Sequence, residues 1–352
     1  MSYRVIQWAT GGVGRASIEG ILSHPELELV GCWVHSDEKA GKDVGEICGM
    51  EPLGITATND VDALLALEAD CVMYSPIMAN RKEVVRILEA GKNVVTPLGY
   101  FYPGKRDVSD LEAACRAGGV TLHGTGIHPG GITERFPLMI SALSRNITHV
   151  RAEEFSDIRT YDAPFVVGEI MMFGKTPEEA AKSPMLDVMG GGFLESVDMV
   201  ADELGFALDE KKRTKHEVAV ATRPIDSPIG VIEPGLVAAQ RFSWEATVRG
   251  ETVISVRTNW FMGEEGFDPA WTFGPEGERF EVEITGDPSP KVIFHGWHPV
   301  SIEAGLKRNP GIVATAIHVV SAIPYVCRAE PGIKTYLDLP LVAGRAAAEL
   351  SS

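Results

Sequence analysis

Apolar positions along residues 3–145 follow one repeated order, in which a short apolar run is followed by a turn and then by apolar residues spaced three and four apart. Short apolar runs between turns indicate buried strands, and the wider spacing indicates helices. Strands are predicted at 3–8, 27–34, 70–75, 93–96 and 120–123, with a first helix whose inner face is Ile18, Ile21 and Leu22. Repeated units of this kind predict a doubly wound α/β fold with a parallel sheet.

The turn after the first strand is rich in glycine and opens a helix. A Rossmann fold uses such a turn to bring backbone N–H groups and the positive end of a helix to a pyrophosphate. Ala9 stands where the dinucleotide fingerprint has its first glycine, and an alanine there requires a negative φ. The predicted cofactor residues of this turn are Ala9, Thr10, Gly11, Gly12, Val13, Gly14 and Arg15.

The end of the second strand bears on the choice between NAD and NADP. An acid at this point would accept the ribose hydroxyls of NAD, but the chain has His35 and Ser36 there, with Lys39 close behind. A hydroxyl, an imidazole and a lysine can all donate to a 2′-phosphate, which favours NADP(H). NAD(H) stays open as the alternative, since Asp37 is adjacent. At the next strand ends, Ser75, Pro76 and Thr96 are also assigned to the cofactor site.

The pattern changes near Arg151, where helical stretches are followed by strand-like runs separated by short turns. This order predicts a second α+β domain on a largely antiparallel sheet. A helical, apolar segment at 312–326 is then expected to return to the first domain. The predicted division is a dinucleotide-binding domain over 1–148, a substrate and dimerisation domain over 149–305, and a returning segment over 306–352.

Composition narrows the class of protein. The chain has 352 residues and a formal net charge of −17, which argues against a general nucleic-acid-binding surface. Its five cysteines are scattered, so neither a disulfide framework nor a metal site is predicted. No leader and no uninterrupted apolar run of membrane-spanning length is evident, and a soluble cytoplasmic protein with a small-molecule substrate is expected.

Three blocks of sequence resemble the dihydrodipicolinate reductase superfamily, and more closely its branch of 2,4-diaminopentanoate dehydrogenase and the native NAD(P)H-dependent amine dehydrogenases. They are 8–15 (WATGGVGR), 124–130 (GTGIHPG) and a C-terminal block with 321–324 (SAIP), 329–335 (AEPGIKT) and 338–340 (DLP). The resemblance implies hydride delivery to a C=N or C=O carbon held between two domains, and a homodimer. Ser321, in the last block, joins the predicted cofactor residues.

Two departures from this branch affect the expected chemistry. The amine dehydrogenases carry a glutamate after the strand that ends at Thr96, whereas this chain has no carboxylate over 96–103. His128 also stands where relatives have asparagine. Recognition of an ammonium or imine needs an acceptor or a negative charge. Because the glutamate is missing, reduction of a carbonyl is a second possible reaction. The paired histidines and lysine of the dihydrodipicolinate enzyme have no counterpart.

Tyr100, Tyr102 and His128 are the candidate catalytic residues, because each follows a strand end near the expected nicotinamide and can donate a proton or a hydrogen bond. The two tyrosines are equally suited to packing an apolar pocket, and His128 to fixing its loop or holding the nicotinamide amide. Acids at the start of the second domain are candidates to replace the missing glutamate, with a solvated face as the alternative. They are Glu153, Glu154, Asp157, Asp162 and Glu169.

The predicted function is therefore an NADP(H)-dependent oxidoreductase that reduces a C=O or C=N bond of a small, apolar substrate. Two alternatives remain: an amine dehydrogenase or imine reductase with a displaced carboxylate, and a non-catalytic NADP(H)-binding sensor. The methionines at 171–172 and 185–189 fit an apolar substrate pocket, a subunit contact or core filling.

Overall fold

A computed structural model describes residues 2–347 and 350, which form two compact units. Of these described residues, the first unit comprises 2–127, 312–347 and 350, and the second comprises 128–311.

The first unit is a parallel α/β sheet. Within the described residues its six strands lie in the order β15-β5-β4-β3-β1-β2, and all the pairs are parallel. The strands are β1 (Tyr3–Trp8), β2 (Leu27–Trp33), β3 (Cys71–Tyr74), β4 (Asn93–Thr96), β5 (Thr121–Gly124) and β15 (Gly332–Lys334). The helices are α1 (Gly12–Ser23), α2 (Val44–Cys48), α3 (Val61–Leu65), α4 (Arg81–Glu89), α5 (Ser109–Gly118) and α10 (Pro310–Cys327), which begins two residues before the unit does.

These elements confirm the predicted doubly wound sheet and add to it. The helix boundaries follow local chemistry, since Asp60 caps α3 by accepting from Ala63 N at 3.1 Å and Asn80 caps α4 by accepting from Lys82 N at 3.1 Å. Strand β15 was not predicted, because a strand of three residues that begins with a glycine after a proline carries too little pattern. It extends the sheet beyond β5, where Lys334 is in register with His123.

Helix α10 lies in the hydrophobic core of the first unit, where Val319, Val320 and Ile323 pack with Ile18 and Ile21 of α1. Among the described residues, Ile302–Cys327 is the one segment long and apolar enough to cross a membrane, with a mean hydropathy of 1.6 in its most apolar window. Of that window 44% is buried inside the molecule.

The second unit is built on a mixed sheet with the order β12-β7-β10-β11-β6-β13-β14. All its pairs are antiparallel except β6 with β11, which agrees with the predicted largely antiparallel domain. Its strands are β6 (Arg145–Asp157), β7 (Arg213–Ala221), β8 (Ile225–Ser227), β9 (Gly230–Ile232), β10 (Val237–Val248), β11 (Glu251–Phe261), β12 (Phe267–Asp268), β13 (Arg279–Asp287) and β14 (Lys291–Phe294). Its helices are α6 (Phe136–Ser141), α7 (Pro177–Ala180), α8 (Met185–Leu204) and α9 (Ile302–Lys307).

The units divide the chain at different points from the predicted boundaries of 148 and 305. Residues 128–148 belong with the second unit, since α6 packs on β6 and β13. Residues 306–311 also belong there, because the Asn309 side chain donates to Thr160 O at 3.3 Å. Strand β6 itself was not predicted, because charged residues interrupt its apolar alternation.

The two faces of the second sheet differ in chemistry. Helix α8 packs over β7, β10 and β11, and its Phe193 stacks on Trp244 with ring centroids 4.2 Å apart. The opposite face carries ion pairs such as Arg151 with Glu281 at 2.7 Å and Arg279 with Glu281 at 2.6 Å. Because side chains alternate along a strand, Glu153 points to this charged face and its neighbour Glu154 to the helix-covered one.

Gly14 is predicted to be the most constrained glycine of the first turn. A Cβ at residue 14 would lie 2.1 Å from the Ala9 carbonyl oxygen, whereas one at Gly12 would meet only Ile312 side-chain atoms at 3.4 Å or more. We expect Gly14→Ala to lower the free energy of unfolding by about 1–3 kcal/mol and Gly12→Ala to change it by less than about 0.5 kcal/mol. Chemical denaturation of both variants tests this, and equal stability of the two would contradict the close approach.

Candidate active site

The first turn is held in a left-handed conformation at Ala9, whose φ is 77°. The expected negative φ at this alanine was therefore wrong. The buried amide of Gln7 donates to Ala9 O at 2.9 Å and to Ser75 Oγ at 3.0 Å, which fixes the turn from below. A non-glycine residue in this region costs roughly 1–2 kcal/mol, and these contacts offset that cost. Ser75 thus supports the turn, in addition to its predicted contact with the cofactor.

The turn leaves room for a phosphate group at the beginning of α1. A Cβ at Gly11 would meet nothing within 4 Å, so the protein's own packing does not require glycine there. Helix α1 begins at Gly12 with no side-chain cap, and its first N–H groups therefore have no side-chain acceptor at Gly11. Open space, donor groups and a helix dipole together fit the pyrophosphate of a dinucleotide.

Cationic side chains lie beside Thr10 in this turn. Lys39 Nζ donates to Thr10 Oγ1 at 3.2 Å, and Arg15 Nε donates to Thr10 O at 3.3 Å. Asp37 instead accepts from Asn59 Nδ2 at 2.6 Å. The residues after β2 were predicted to serve NADP(H), with Lys39, or NAD(H), with Asp37. The structure places Lys39 at the turn, whereas Asp37 has another partner. His35 is exposed, with its ring 5.9 Å from that of Trp33.

The segment after β4 brings Tyr100 into the core. A Cβ at Gly124 would lie 2.0 Å from Gly99 O and 2.5 Å from the Tyr100 carbonyl carbon, so this segment rests directly on the end of β5. Tyr100 is 7% exposed and belongs to the apolar cluster under the sheet, which supports its packing role. Tyr102 is half-buried and precedes the turn Pro103–Lys105. The catalytic roles of both tyrosines stay predictions.

His128 is held by an acid from the second sheet. Its Nδ1 lies 2.8 Å from Glu154 Oε2, and the two side chains are only 2% and 13% exposed. The imidazole lies edge-on to Phe193 and Phe280, with ring centroids 4.8 and 5.8 Å away. Its Nε2 is buried and has no hydrogen-bond partner among the described residues. His128 lies in the non-helical part of the wide turn Ile127–Arg135.

Glu154 is an ionised carboxylate at neutral pH. Burial acts to raise the pKa of this carboxyl, but hydrogen bonds from His128 and Ser156 outweigh burial and hold the pKa below its ordinary value. Ser156 Oγ donates to Glu154 Oε1 at 2.8 Å and lies 3.2 Å from His298 Nε2. Burial lowers the pKa of His298 to about 4, so this imidazole is neutral. His128, Glu154, Ser156 and His298 therefore form one buried polar cluster.

The other predicted acids are engaged elsewhere. Glu153 accepts from Asn259 Nδ2 at 3.0 Å on the charged face of the sheet, and Asp157 accepts from Arg159 Nε at 3.0 Å. Glu169 pairs with Lys175 at 2.7 Å. Asp162 is exposed. Glu154 is the acid of this set that the structure brings to a candidate catalytic residue.

Sequence reasoning missed several polar residues that the fold collects. Ser156 is one of them: its partner His298, which the sequence places at a strand end with a structural role, is 142 positions away, so no local motif could reveal the pair. Tyr336 and His318 of the first unit were also missed, although Tyr336 directly follows the recognised block at 329–335. Ser321 is buried on α10. Met171 and Met185 are buried in the second unit, as core filling requires.

Comparison with known families accounts for both units. Residues 5–96 match the model of the dihydrodipicolinate reductase N-terminus, and residues 132–265 match that of the 2,4-diaminopentanoate dehydrogenase C-terminal domain. The resemblance stated from the three sequence blocks is therefore confirmed.

Similar proteins extend over nearly the whole chain. An amine dehydrogenase from Streptomyces virginiae is 31% identical over 356 residues, with 96% of each chain covered. A 2,4-diaminopentanoate dehydrogenase from Acetoanaerobium sticklandii is 25% identical, with 96% of this chain and 93% of the other covered. The solved structure of an amine dehydrogenase from Mycobacterium smegmatis shares the fold, with a TM-score of 0.77, 20% identity and 98% of each chain covered. The chain belongs to the amine dehydrogenase and 2,4-diaminopentanoate dehydrogenase family of NAD(P)-dependent oxidoreductases.

Proposed function

We propose that this protein interconverts an amine and the corresponding C=N or C=O compound, with His128 as the group that holds and releases the proton. The hydrogen bond between His128 Nδ1 and Glu154 is the observation that carries this proposal. The names of the two full-length relatives support an amine as the substrate class. Hydride transfer to or from the substrate carbon is the chemistry that a bound nicotinamide supplies.

Glu154 determines which nitrogen of His128 is available. An ionised carboxylate accepts the Nδ1 proton and so fixes the tautomer in which Nε2 carries a lone pair. A buried acceptor with a carboxylate behind it attracts an N–H donor, and an ammonium or iminium nitrogen is such a donor. With a neutral imidazole the pair has a net charge of −1, which compensates a cationic substrate. Glu154 therefore replaces, through His128, the carboxylate that is missing from 96–103.

The proton balance follows from this arrangement. In amine oxidation, Nε2 takes one proton from the substrate ammonium, and the resulting imidazolium is stabilised by Glu154 as the hydride leaves the carbon. In the reverse direction the imidazolium returns the proton to the newly formed amine nitrogen. For a carbonyl substrate the same imidazolium would protonate the developing alkoxide. Ser156 holds the second oxygen of Glu154 and keeps the carboxylate oriented.

The cofactor we propose is NADP(H). Lys39 lies at Thr10 in the first turn, and Arg15 is on the other side of the same residue. A lysine at this place supplies a charge-assisted hydrogen bond to a 2′-phosphate. A homodimer and a cytoplasmic location remain predictions from the sequence.

Dependence on ammonium distinguishes amine chemistry from plain carbonyl reduction. We expect oxidation of NADPH with apolar ketones and aldehydes to require ammonium, because the C=N carbon is the hydride acceptor. The assay follows NADPH absorbance over a carbonyl panel with and without ammonium. Gly11→Asp is the control, since it places a negative charge at the pyrophosphate without steric conflict. Equal rates with and without ammonium would exclude amine chemistry, and tight NADPH binding without turnover would favour the sensor alternative.

Glu154→Gln should lower kcat by about 100-fold or more, because the amide no longer stabilises an imidazolium at His128. The matched control is Glu283→Gln, on the charged face of the same sheet, where the carboxylate is 38% exposed and pairs with Arg151. Steady-state kinetics of both variants, each shown to be folded by circular dichroism, provide the measurement. Unchanged kcat in the Glu154 variant would remove the basis of the proposed mechanism.

Lys39→Ala should raise the Kd for NADPH by roughly 10- to 100-fold, the effect of losing one charge-assisted hydrogen bond, and leave the Kd for NADH unchanged. Lys42→Ala is the control, since Lys42 is exposed and lies near Glu38 rather than the turn. Fluorescence titration of the wild type and of both variants with each cofactor measures the six dissociation constants. Parallel loss of NADH and NADPH affinity would assign Lys39 to the shared part of the dinucleotide.

A further inference from the structure

The hydrogen bonds of the buried polar cluster around Glu154 have a fixed direction. Glu154 is ionised, and an ionised carboxylate accepts hydrogen bonds but donates none. The 2.8 Å contact between Ser156 Oγ and Glu154 Oε1 therefore uses the one proton of the serine hydroxyl. Ser156 has no proton left for His298, so in their 3.2 Å contact His298 Nε2–H is the donor and Ser156 Oγ is the acceptor.

This direction determines the tautomer of His298. The imidazole is neutral, because burial lowers its pKa to about 4. A neutral imidazole carries one N–H, and since Nε2 holds that proton, Nδ1 carries a lone pair. The Nδ1 atom is buried, and no described residue donates a hydrogen bond to it. His298 therefore adds to the cluster an acceptor that the described residues leave unused.

His128 has the same property on the other side of the carboxylate. Its Nδ1 is bound to Glu154 Oε2, and its buried Nε2 has no partner among the described residues. Both imidazoles also contact the Phe280 ring: His298 stacks on it with centroids 5.2 Å apart, and His128 lies edge-on to it at 5.8 Å. One carboxylate and one phenyl ring thus hold two histidines, each with an unused acceptor nitrogen.

Strand pairing brings these groups to one place in the second unit. Phe280 of β13 lies directly opposite Glu154 of β6, so both side chains are on the same face of the sheet. His298 reaches this face from the segment after β14, and His128 reaches it from the wide turn before α6. A buried acceptor without a donor costs stability. Two such acceptors in one cluster therefore indicate a ligand that brings two donor groups.

Charge selects the kind of group that suits the second acceptor. The Glu154 carboxylate and the two neutral imidazoles together carry one negative charge, and an ammonium bound at His128 balances it. A second ammonium would leave a buried positive charge without a partner, which is costly. A hydroxyl donates a hydrogen bond and stays neutral. The second donor is therefore expected to be a hydroxyl.

We propose that His298 Nδ1 is a second substrate-binding point, which accepts a hydrogen bond from a hydroxyl group of the substrate. This inference rests on the proposed amine chemistry, in which the reacting nitrogen donates to His128 Nε2. The substrate class is then an amino alcohol. His298 takes no part in proton transfer in this proposal and acts as a specificity-determining residue.

The tautomer of His298 can be measured without turnover. Protein labelled with ¹⁵N at histidine gives ring correlation spectra that distinguish the two neutral tautomers from the imidazolium. We expect His298 to carry its proton on Nε2 at neutral pH, with its signals assigned by their loss in His298→Gln. A proton on Nδ1 at neutral pH would overturn the proposal, since it removes the free acceptor.

Two substitutions separate the functions of the two ring nitrogens. His298→Gln places an amide N–H near the Nε2 position, so it keeps the donor to Ser156 and removes the acceptor at Nδ1. His298→Asn places an amide oxygen near the Nδ1 position, so it keeps the acceptor and removes the donor to Ser156. His149→Gln is the control, because His149 Nε2 also contacts a serine hydroxyl, Ser255 Oγ at 3.1 Å, on the charged face of the sheet.

The assay compares pairs of primary amines in which a hydroxyl replaces a methyl group, such as propylamine with ethanolamine and butylamine with propanolamine. We expect the wild type to prefer the amino alcohol by about 10-fold in kcat/KM, chiefly through KM, as one buried hydrogen bond provides. His298→Gln should lose this preference, whereas His298→Asn and His149→Gln should keep it. The corresponding diamines, ethylenediamine and propanediamine, should show no preference over the alkylamines.

Failure of this inference and failure of the proposed function give different results. Equal kcat/KM for both members of each pair in the wild type, with normal amine oxidation, would overturn the second binding point alone. A preference that survives in His298→Gln would overturn it as well, and so would a preference for diamines over amino alcohols. Absence of turnover with every amine would overturn the proposed function and this inference together.

Discussion

The close approach of α1 to the Ala9 carbonyl oxygen is the constraint on which the geometry of the predicted cofactor site, at the carboxyl edge of the first sheet, depends. The absence of a side chain at residue 14 allows this approach, and the left-handed φ of Ala9 creates it. Gln7 holds the same carbonyl from inside the sheet and reaches Ser75 at the end of β3. One buried amide therefore links the ends of β1 and β3, the neighbours at which the strand order changes direction. Ligand binding at such a point requires the strand ends to keep their relative positions, and this amide supplies that rigidity.

The sequence was sufficient to predict the elements that depend on local residue spacing. The strand, turn and helix at 3–23 and the alternation through β5 follow from spacing alone, and the glycine turn indicates a dinucleotide. The sign of φ at Ala9 was not predictable, because it depends on the hydrogen bond that the Gln7 side chain donates to Ala9 O. Gln7 lies outside the turn, so the residues of the turn do not reveal this bond. Strands β6 and β15 were not predicted, for a related reason. The cost of burying charged residues in β6 is offset by ion pairs with strands more than 100 positions away in the sequence. Strand β15 is too short to show a period.

The candidate site was predictable in its residue types and not in its pairings. His128 and Glu154 were both candidates, but which of the five candidate acids lies beside the histidine depended on strand alternation and on the register of β6 with β11 and β13. The alternation sends Glu153 to a face with three arginines and Glu154 to a face with aromatic rings. Two adjacent acids thus differ in their partners: Glu153 pairs with cations of the sheet, and Glu154 is hydrogen-bonded to His128.

These contacts explain why the block at 124–130 has its particular residues. Gly124 admits the segment after β4, and Thr125 and His128 then carry the two hydrogen-bonded systems. Thr125 is hydrogen-bonded to the phenol of Tyr336, and His128 to a carboxylate whose charge is retained despite burial. Burial of these polar side chains costs stability unless each is satisfied or used. The one buried imidazole nitrogen of His128 that has no partner among the described residues is therefore the point at which a substrate N–H donor would offset that cost.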